Sequence, residues 1–214
     1  TLANPYRAAM ALLERRLDLT PAAFSALAAE YGVEALSVAS DLSAHAEGKA
    51  ASAIATAIGQ GLPTREGVAS LRRAFDAAGI TPGQPHALET MYRTQVQMGY
   101  SAGRWQANDD PAIQEILWGY RYVTIGDDRV RANHAALDNY TGRKGDPAWT
   151  RIWPPCGYNC RCTVIEVFNG DAEAVPTRGG LAPVDIGGVL VTPAPDLGWD
   201  FNAGLVFAKV NAAA

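Results

Sequence analysis

The chain has 214 residues, of which 48% are hydrophobic and 19% charged, and its formal net charge is −4. This balance is typical of a globular rather than a disordered protein, while the negative charge argues against a protein that coats nucleic acid non-specifically. No apolar run approaches the roughly 20 residues of a membrane span, and the first residues lack a signal-peptide pattern, so we expect a soluble protein made in a cytoplasm with reduced thiols.

Residues 1–84 are predicted to form a helical N-terminal arm. Apolar residues recur there at helical spacing, and capping residues or Gly/Pro breaks separate the segments, as at Thr64 and Gly79. The Pro/Gly-rich stretch 81–85 is the best candidate for a domain boundary. A long helix is predicted after Pro85, because its apolar residues form a broad stripe that needs burial.

Residues 85–169 are predicted to form a core domain. The fold class is α+β, with a small mixed or antiparallel sheet packed with helices. Residues Tyr120–Ile125 alternate as a strand, a helix is predicted for Arg129–Asp138, and a second strand runs to Val167. A short helix that begins at Pro111 is expected before the first strand.

Residues 170–214 are predicted to form an extended C-terminal segment, because they are rich in Gly, Pro and Ala. Strand-like runs occur at Gly188–Val191 and Leu205–Val210, and both are interpreted as edge strands. The acidic, turn-rich middle of this segment is compatible with two arrangements. It either wraps along a neighbouring molecule or forms an ordinary long surface loop.

All three cysteines lie within seven residues, an odd and clustered set that argues against a disulfide framework. Cys160 and Cys162 are two residues apart at the start of the second strand, so their side chains should point to the same face. Val130, His134 and Leu137 recur at helical spacing, which turns His134 inward.

Three interpretations of this Cys/His set stay open. It forms a structural zinc site of His134, Cys160 and Cys162 with Cys156 or Asp146 as fourth ligand, a packed core of thiols and a hydrogen-bonded histidine, or a Cys–His nucleophilic pair. The nucleophilic interpretation lacks support, because no nucleophile elbow, oxyanion-hole signature or P-loop accompanies the residues. Zinc is accordingly the one candidate cofactor.

Residues 119–162 form a basic island, with seven basic and four acidic residues between acidic flanks. The arginines either pair with carboxylates inside the fold or form a surface for a polyanion or an acidic partner. Arg129 and Arg131 are expected to make salt bridges or to stack on tryptophans. Asp127 and Asp128 are expected to cap the helix that follows.

The loop that follows this helix is rich in Trp, Pro and Gly, which fix a loop's shape at low entropic cost. Trp and Arg are also enriched in binding hot spots, so internal packing and a contact surface both stay open for the aromatic residues. Basic residues flank the tryptophans in a Gly-containing loop where burial is not expected. The predicted contact residues are Arg143, Lys144, Trp149, Arg151 and Trp153.

The order of these motifs is more specific than any one of them. They follow one another as Asp127-x-Arg129-x-Arg131-x-x-His134, Asp146, Trp149 and Pro154-Pro155-x-Gly157-x-x-Cys160-Arg161-Cys162. Upstream stand Leu88-Glu89-Thr90-x-Tyr92-Arg93-Thr94 and Ala102-Gly103-Arg104-Trp105, and downstream Pro195-Asp196-x-Gly198-Trp199-x-x-Asn202. This ordered set, over roughly the second half of the chain, resembles the head-morphogenesis domain of tailed phages, the Mu F-like minor head proteins.

The resemblance implies a minor structural protein of a phage or prophage head, rather than an enzyme. Such a protein would act near the portal in head assembly and in DNA packaging or delivery. Portal and head proteins would be its partners, packaged DNA a further candidate partner, and no membrane would be involved. Its place would be the virion head, assembled in the bacterial host cytoplasm. The alternative is a small metal-dependent hydrolase or nuclease module that uses the Cys/His/Asp cluster.

Overall fold

The computed structural model describes residues 52–54, 56–57, 60–77, 79, 81, 86–177, 180–206 and 208. The helices predicted before residue 52 therefore lie outside the described residues, as do four of the five residues in the predicted boundary. Among the described residues, none of the helices combines the length and the apolar character that crossing a membrane requires.

The chain folds into two compact units. One extends to Ala107 and also includes the segment from Ala203 onward, and the other comprises Asn108–Asn202. The predicted boundaries near residues 84 and 169 separate segments that are expected to fold independently. The division into compact units does not test independent folding. Those boundaries stay a prediction.

In the first unit, α1 (Thr64–Ala77) and α2 (Ala87–Ala107) confirm the helices predicted after Thr64 and after Pro85. Gly67 permits close packing of the two helices, because a Cβ atom there would lie 2.1 Å from Cζ of Tyr92. The buried apolar side chains of this unit form one cluster, whose burial stabilises the helix pair. Its members are Ile54, Ala57, Leu71, Phe75, Leu88 and Tyr92.

Residues 203–206 and 208 are helical, so the strand predicted over 205–210 is wrong for the residues that the structure describes there. Gly204 lies so close to Trp105 that an added Cβ atom would be 2.4 Å from the Trp105 Cβ. A short apolar run does not distinguish a buried strand from a buried helix. Packing against another element decides between them here.

The second unit is built on a three-stranded antiparallel sheet in the order β2-β1-β3. A short helix, α3, precedes the first strand, and the Asp110 side chain caps it by accepting a hydrogen bond of 2.8 Å from the backbone N–H of Ala112. The sheet confirms the predicted α+β class. The bounds are α3 Pro111–Ile116, β1 Leu117–Val123, β2 Thr141–Arg143 and β3 Thr163–Phe168.

The helix predicted for Arg129–Asp138 is much shorter, since only α4 (Ala132–Ala135) is helical. Asn139 adopts a left-handed backbone conformation with φ 57°, and its N–H donates to the carbonyl of Tyr122. The chain therefore turns back onto β1 at this point instead of continuing the helix. Pairing with the strand wins over local helix propensity.

A cluster of four aromatic side chains fills the space beside the sheet. Trp149 lies in a short 3₁₀ helix (Pro147–Thr150), and its indole meets Tyr120 and Tyr140 edge-on at centroid distances of 5.5 and 5.4 Å. Trp153 packs on the same Tyr120 ring at 5.0 Å. Each such contact contributes about 0.5–1.5 kcal/mol beyond area burial. Both indoles are fully buried.

The C-terminal part of this unit forms a hairpin and then returns to the body of the unit. The hairpin consists of β4 (Val184–Ile186) and β5 (Val189–Val191), the latter close to the predicted run. Residues 194–202, which we call the return segment, then pack on the same unit. Trp199 meets Tyr158 edge-on at a centroid distance of 4.9 Å, and further buried side chains follow Trp199 in this segment.

Candidate metal centre

His134 lies in α4 with its side chain buried, and so faces inward as predicted. Its Nδ1 atom is 3.8 Å from the Cys160 sulfur and 3.9 Å from the Cys162 sulfur. The three potential ligand atoms all lie within 4.8 Å of one another. The two cysteines therefore point to the same side, also as predicted.

The cysteines reach this position from a turn that leads into β3, rather than from the strand itself. Asn159 has a left-handed φ of 58°, and the N–H of Cys160 donates to the Gly157 carbonyl at 3.2 Å. The chain is extended from there to the first strand residue, Thr163, so residues two apart share a side.

The partners of the other ring nitrogen of His134, Nε2, determine whether Nδ1 carries a proton. Nε2 lies 3.1 Å from the Cys156 carbonyl oxygen and 3.2 Å from Oδ1 of Asp196. A carbonyl and a carboxylate only accept hydrogen bonds, so a neutral imidazole carries its proton on Nε2. The lone pair then sits on Nδ1 and faces the two sulfurs, as in a metal-bound histidine.

The donor set and its spacing fit zinc. In a tetrahedral site with Zn–S and Zn–N distances of about 2.3 and 2.0–2.1 Å, neighbouring sulfur and nitrogen ligands are about 3.6 Å apart. The two observed N···S distances are 3.8 and 3.9 Å. Small side-chain adjustments would therefore complete the arrangement.

The two thiols titrate as a pair. A hydrogen bond from Cys162 lowers the pKa of Cys160, although burial opposes this. The same bond, together with burial, raises the pKa of Cys162. The pair therefore loses its first proton more readily at Cys160 than at Cys162, and thiolates are the form that binds metal.

Neither predicted fourth ligand belongs to this group. The Cys156 sulfur donates to the Ile152 carbonyl at 3.3 Å and accepts from the Tyr122 hydroxyl at 3.4 Å, and burial raises the pKa of its thiol. Asp146 caps the 3₁₀ helix at Ala148 and accepts a 2.7 Å hydrogen bond from Tyr140. Both side chains are held elsewhere by hydrogen bonds, so neither completes the metal-ligand set.

The remaining space beside the three ligands is small. A cavity of about 20 Å³ opens there, which is room for one water molecule. Three protein ligands and one water would complete a four-coordinate site. Besides the ligands, the cavity is lined by Ile125, Arg129, Val130, Arg131, Asn159 and Arg161.

Arg161, between the two cysteines, is held by a bidentate ion pair. Its two terminal nitrogens lie 2.6 Å from the two carboxylate oxygens of Asp127. The Arg161 guanidinium holds the pKa of the Asp127 carboxyl well below its usual range. The predicted capping role of Asp127 is wrong, because its carboxylate mainly fixes the C-R-C turn and the helix begins only at Ala132.

The arginines on the other side of the cavity form ion pairs, as predicted. Arg129 Nη2 is 3.2 Å from Asp127, and Arg131 Nε is 3.2 Å from Asp196. Asp127 thus pairs with two of the three arginines that line the cavity and Asp196 with the third, so two carboxylates offset three positive charges.

The predicted contact residues divide into two sets. Trp149 and Trp153 are fully buried, so for them the structure supports internal packing. Arg143, Lys144 and Arg151 are exposed. The aromatic residues thus shape the loop from inside and leave the basic residues on its surface.

The basic loop, residues 143–151, borders a groove of about 690 Å³. The Arg143 guanidinium lies over the Trp118 ring, 5.4 Å from its centroid, and Lys144 donates to the Gln114 carbonyl. Arg151 is 3.9 Å from Asp200, with both side chains about 60% exposed. Arg143 and Lys144 line the groove, whereas Arg151 lies outside the set of residues that do.

A sequence model of the family described as Phage Mu protein F like protein matches residues 46–165, more than half of the chain. The chain belongs to this family. The match confirms the resemblance inferred from the motifs. It includes His134, Cys160 and Cys162 and the whole basic loop, and it ends before the return segment.

Two relatives of this F-like chain are known by name. It is 35% identical over 97 residues to the Mu-like prophage FluMu F protein of Haemophilus influenzae, a match that covers 45% of this chain and 22% of the relative. It is 30% identical over 155 residues to the putative capsid assembly protein F of Escherichia phage Mu, covering 60% and 34%. The chain thus spans about a third of these relatives or less. No solved structure matches it.

Sequence reasoning missed the two carboxylates that border the metal centre. Asp127 was assigned to a helix cap, and Asp196 was only part of a tail motif. The spacing of the motifs gives no signal for long-range contacts of this kind. Asn133 and Asp196, for example, share a 3.1 Å hydrogen bond although they are 63 residues apart in the chain.

Proposed function

We propose that this chain is part of a minor structural protein of a tailed phage or prophage head, which acts near the portal in head assembly and in DNA packaging or delivery. Family membership and the name of the phage Mu relative support the head-related part of this proposal. The portal and other head proteins are the proposed partners, with packaged DNA second. The proposed location is the virion head, after assembly in the host cytoplasm.

The exposed pair Arg143–Lys144 carries the proposal structurally. Both side chains border a groove, which Glu115 and Asp146 also line, and two buried indoles support the backbone of their loop. Two adjacent exposed cations of this kind favour an acidic partner through charge complementarity. Because the chain as a whole is acidic, a protein partner is favoured over DNA.

Charge reversal tests this surface. The double variant Arg143→Glu/Lys144→Glu should be incorporated into particles less than the wild-type protein, while its folding is retained. Arg72→Glu/Arg73→Glu on α1 is the matched control, because it reverses the same charge at two exposed neighbouring positions. Quantitative protein analysis of purified particles provides the measurement.

The outcomes separate two levels of the proposal. Normal incorporation of the loop variant would move the contact away from Arg143 and Lys144. Absence of the wild-type protein from purified particles would overturn the proposal of a head protein itself.

We also propose that His134, Cys160 and Cys162 bind one structural zinc ion. All three are buried, and the adjoining cavity holds no more than about one water molecule, so a substrate has little access to a fourth position. These features favour a structural role over hydrolysis or nuclease activity. When bound, zinc would cross-link α4 to the turn before β3.

Cys156, which is buried but is not one of the three proposed ligands, supplies the control for this test. Wild-type protein should contain about one equivalent of zinc, Cys160→Ser should lose it, and Cys156→Ser should retain it, because the Cys160 thiol faces Nδ1 of His134 whereas the Cys156 thiol donates to the Ile152 carbonyl. Chelation should lower the melting temperature of the wild type, since a ligand that binds only the native state stabilises it. Wild-type protein without metal, and equal costs for the two substitutions, would leave the packed-thiol interpretation.

A further inference from the structure

Asp196 joins the return segment to the candidate metal centre. Its Oδ1 atom lies 3.2 Å from Nε2 of His134, on the side of the ring away from the two sulfurs, and shares this nitrogen with the Cys156 carbonyl oxygen at 3.1 Å. The family match does not extend to this residue, and the residue offers no ligand atom to the group of three. It contacts the centre only through the imidazole ring.

The position of this carboxylate is fixed from several directions. Oδ2 is 3.2 Å from Nε of Arg131, Oδ1 accepts a 3.1 Å hydrogen bond from Asn133, and the backbone N–H of Asp196 donates to the Cys156 carbonyl at 2.8 Å. Gly157 permits this approach, since an added Cβ would lie 2.2 Å from Oδ2. The side chain is therefore held against His134 instead of fluctuating at the surface.

We propose that Asp196 is the positioning carboxylate of the metal centre: it holds the His134 ring with Nδ1 directed to the metal, so that metal binding and docking of the return segment strengthen each other. This inference rests on the proposed zinc site. A carboxylate that accepts the second N–H of a metal-bound histidine fixes its tautomer and orientation and raises its basicity. Coupling between two binding events is reciprocal, so zinc should tighten the segment as the segment tightens zinc.

Zinc affinity, measured by competition with a chromogenic chelator, tests the first half of the proposal, that Asp196 holds His134 for metal binding. Asp196→Asn should bind zinc about 10–100-fold more weakly than wild type, the usual effect of removing such a partner. Asp200→Asn, an exposed carboxylate of the same segment, is the matched control and should bind zinc as the wild type does. An unchanged affinity for Asp196→Asn would overturn the inference.

A spectroscopic signature distinguishes positioning from general stabilisation. In zinc-loaded protein the Nε2-bound proton of His134 should give a downfield NMR signal that shifts in Asp196→Asn and stays in place in Asp200→Asn. A signal that is equal in all three proteins would show that the carboxylate does not hold the ring.

Amide hydrogen exchange of the wild-type protein tests the second half of the proposal, that zinc strengthens docking of the return segment, and needs no substitution. Zinc should slow exchange of the Asp196 and Trp199 amides, which donate to the carbonyls of Cys156 and Asp196. The reference is the amide of Tyr122 on β1, which donates to the Tyr140 carbonyl, and zinc should slow its exchange less. Equal slowing at all three amides would overturn the coupling.

Failure of this inference and failure of the proposed site are distinguishable. If wild-type protein binds zinc and Asp196→Asn binds it equally well, the site stands and the role of Asp196 falls. If wild-type protein binds no zinc, both fall. Particle incorporation tests the head-protein proposal independently of either result.

Discussion

The candidate metal centre and the basic loop lie in one compact unit and in one stretch of sequence, yet they are built differently. In the centre, both nitrogens of the buried His134 have partners within 4 Å. In the loop, the charged ends of Arg143 and Lys144 are exposed beside a groove. A substitution in the centre should therefore act on stability or metal affinity, whereas one in the loop should act on association.

The ion pairs of the two regions show the same contrast. Arg161 and Asp127 form a bidentate pair with two distances of 2.6 Å, which demands a specific orientation of both side chains. Arg151 and Asp200 meet at 3.9 Å with both side chains about 60% exposed, and exposed pairs of this kind contribute about 0–1 kcal/mol. Only the first pair holds its backbone in place.

The largest expected effect on stability comes from the buried side of the basic loop. Trp149→Ala should lower the free energy of unfolding by about 3–5 kcal/mol, because it removes a fully buried indole on which the basic loop rests. Chemical denaturation provides the measurement. Arg151→Ala in the same loop is the control and should change it by less than about 0.5 kcal/mol. Equal effects of the two substitutions would show that the buried indole contributes no more to stability than an exposed side chain of the same loop.

A second, smaller effect concerns acid stability. The pKa of Asp127 is lowered in the folded state by Arg161, so its contribution is present above the unfolded pKa of about 3.9 and is lost as the pH falls below it. Asp127→Asn should flatten the decline of stability with acid. Asp128→Asn removes the same charge one residue away and should leave the decline as it is. Thermal melts from pH 7 to 2.5 would show whether the two profiles differ.

The smallest effect on stability should come from the loop surface. Arg143→Glu/Lys144→Glu removes one cation–π contact, worth about 0.5–1 kcal/mol at an exposed site, and should change the free energy of unfolding by no more than about 1 kcal/mol. A matched denaturation experiment with the wild type is sufficient. A loss of several kcal/mol would mean that the loop, like the metal centre, is maintained for the fold.

Local signals were enough for part of the structure. Caps and apolar periodicity predicted the helices after Thr64 and Pro85, and residue spacing predicted that His134 faces inward and that Cys160 and Cys162 point to the same face. These features depend on contacts a few residues apart. The helix predicted to reach Asp138 ends earlier because Asn139 pairs with β1, a competition that propensity does not describe.

By itself, the sequence determined the α+β class, the family and the identity of the three potential metal ligands. Tertiary structure alone decided that Trp149 and Trp153 face the core, and that Asp196 reaches His134 from a distant segment. Both outcomes depend on burial and on hydrogen bonds between residues far apart in the chain, which together must offset the entropy of closing long loops. A pattern of residues along the chain does not contain that condition.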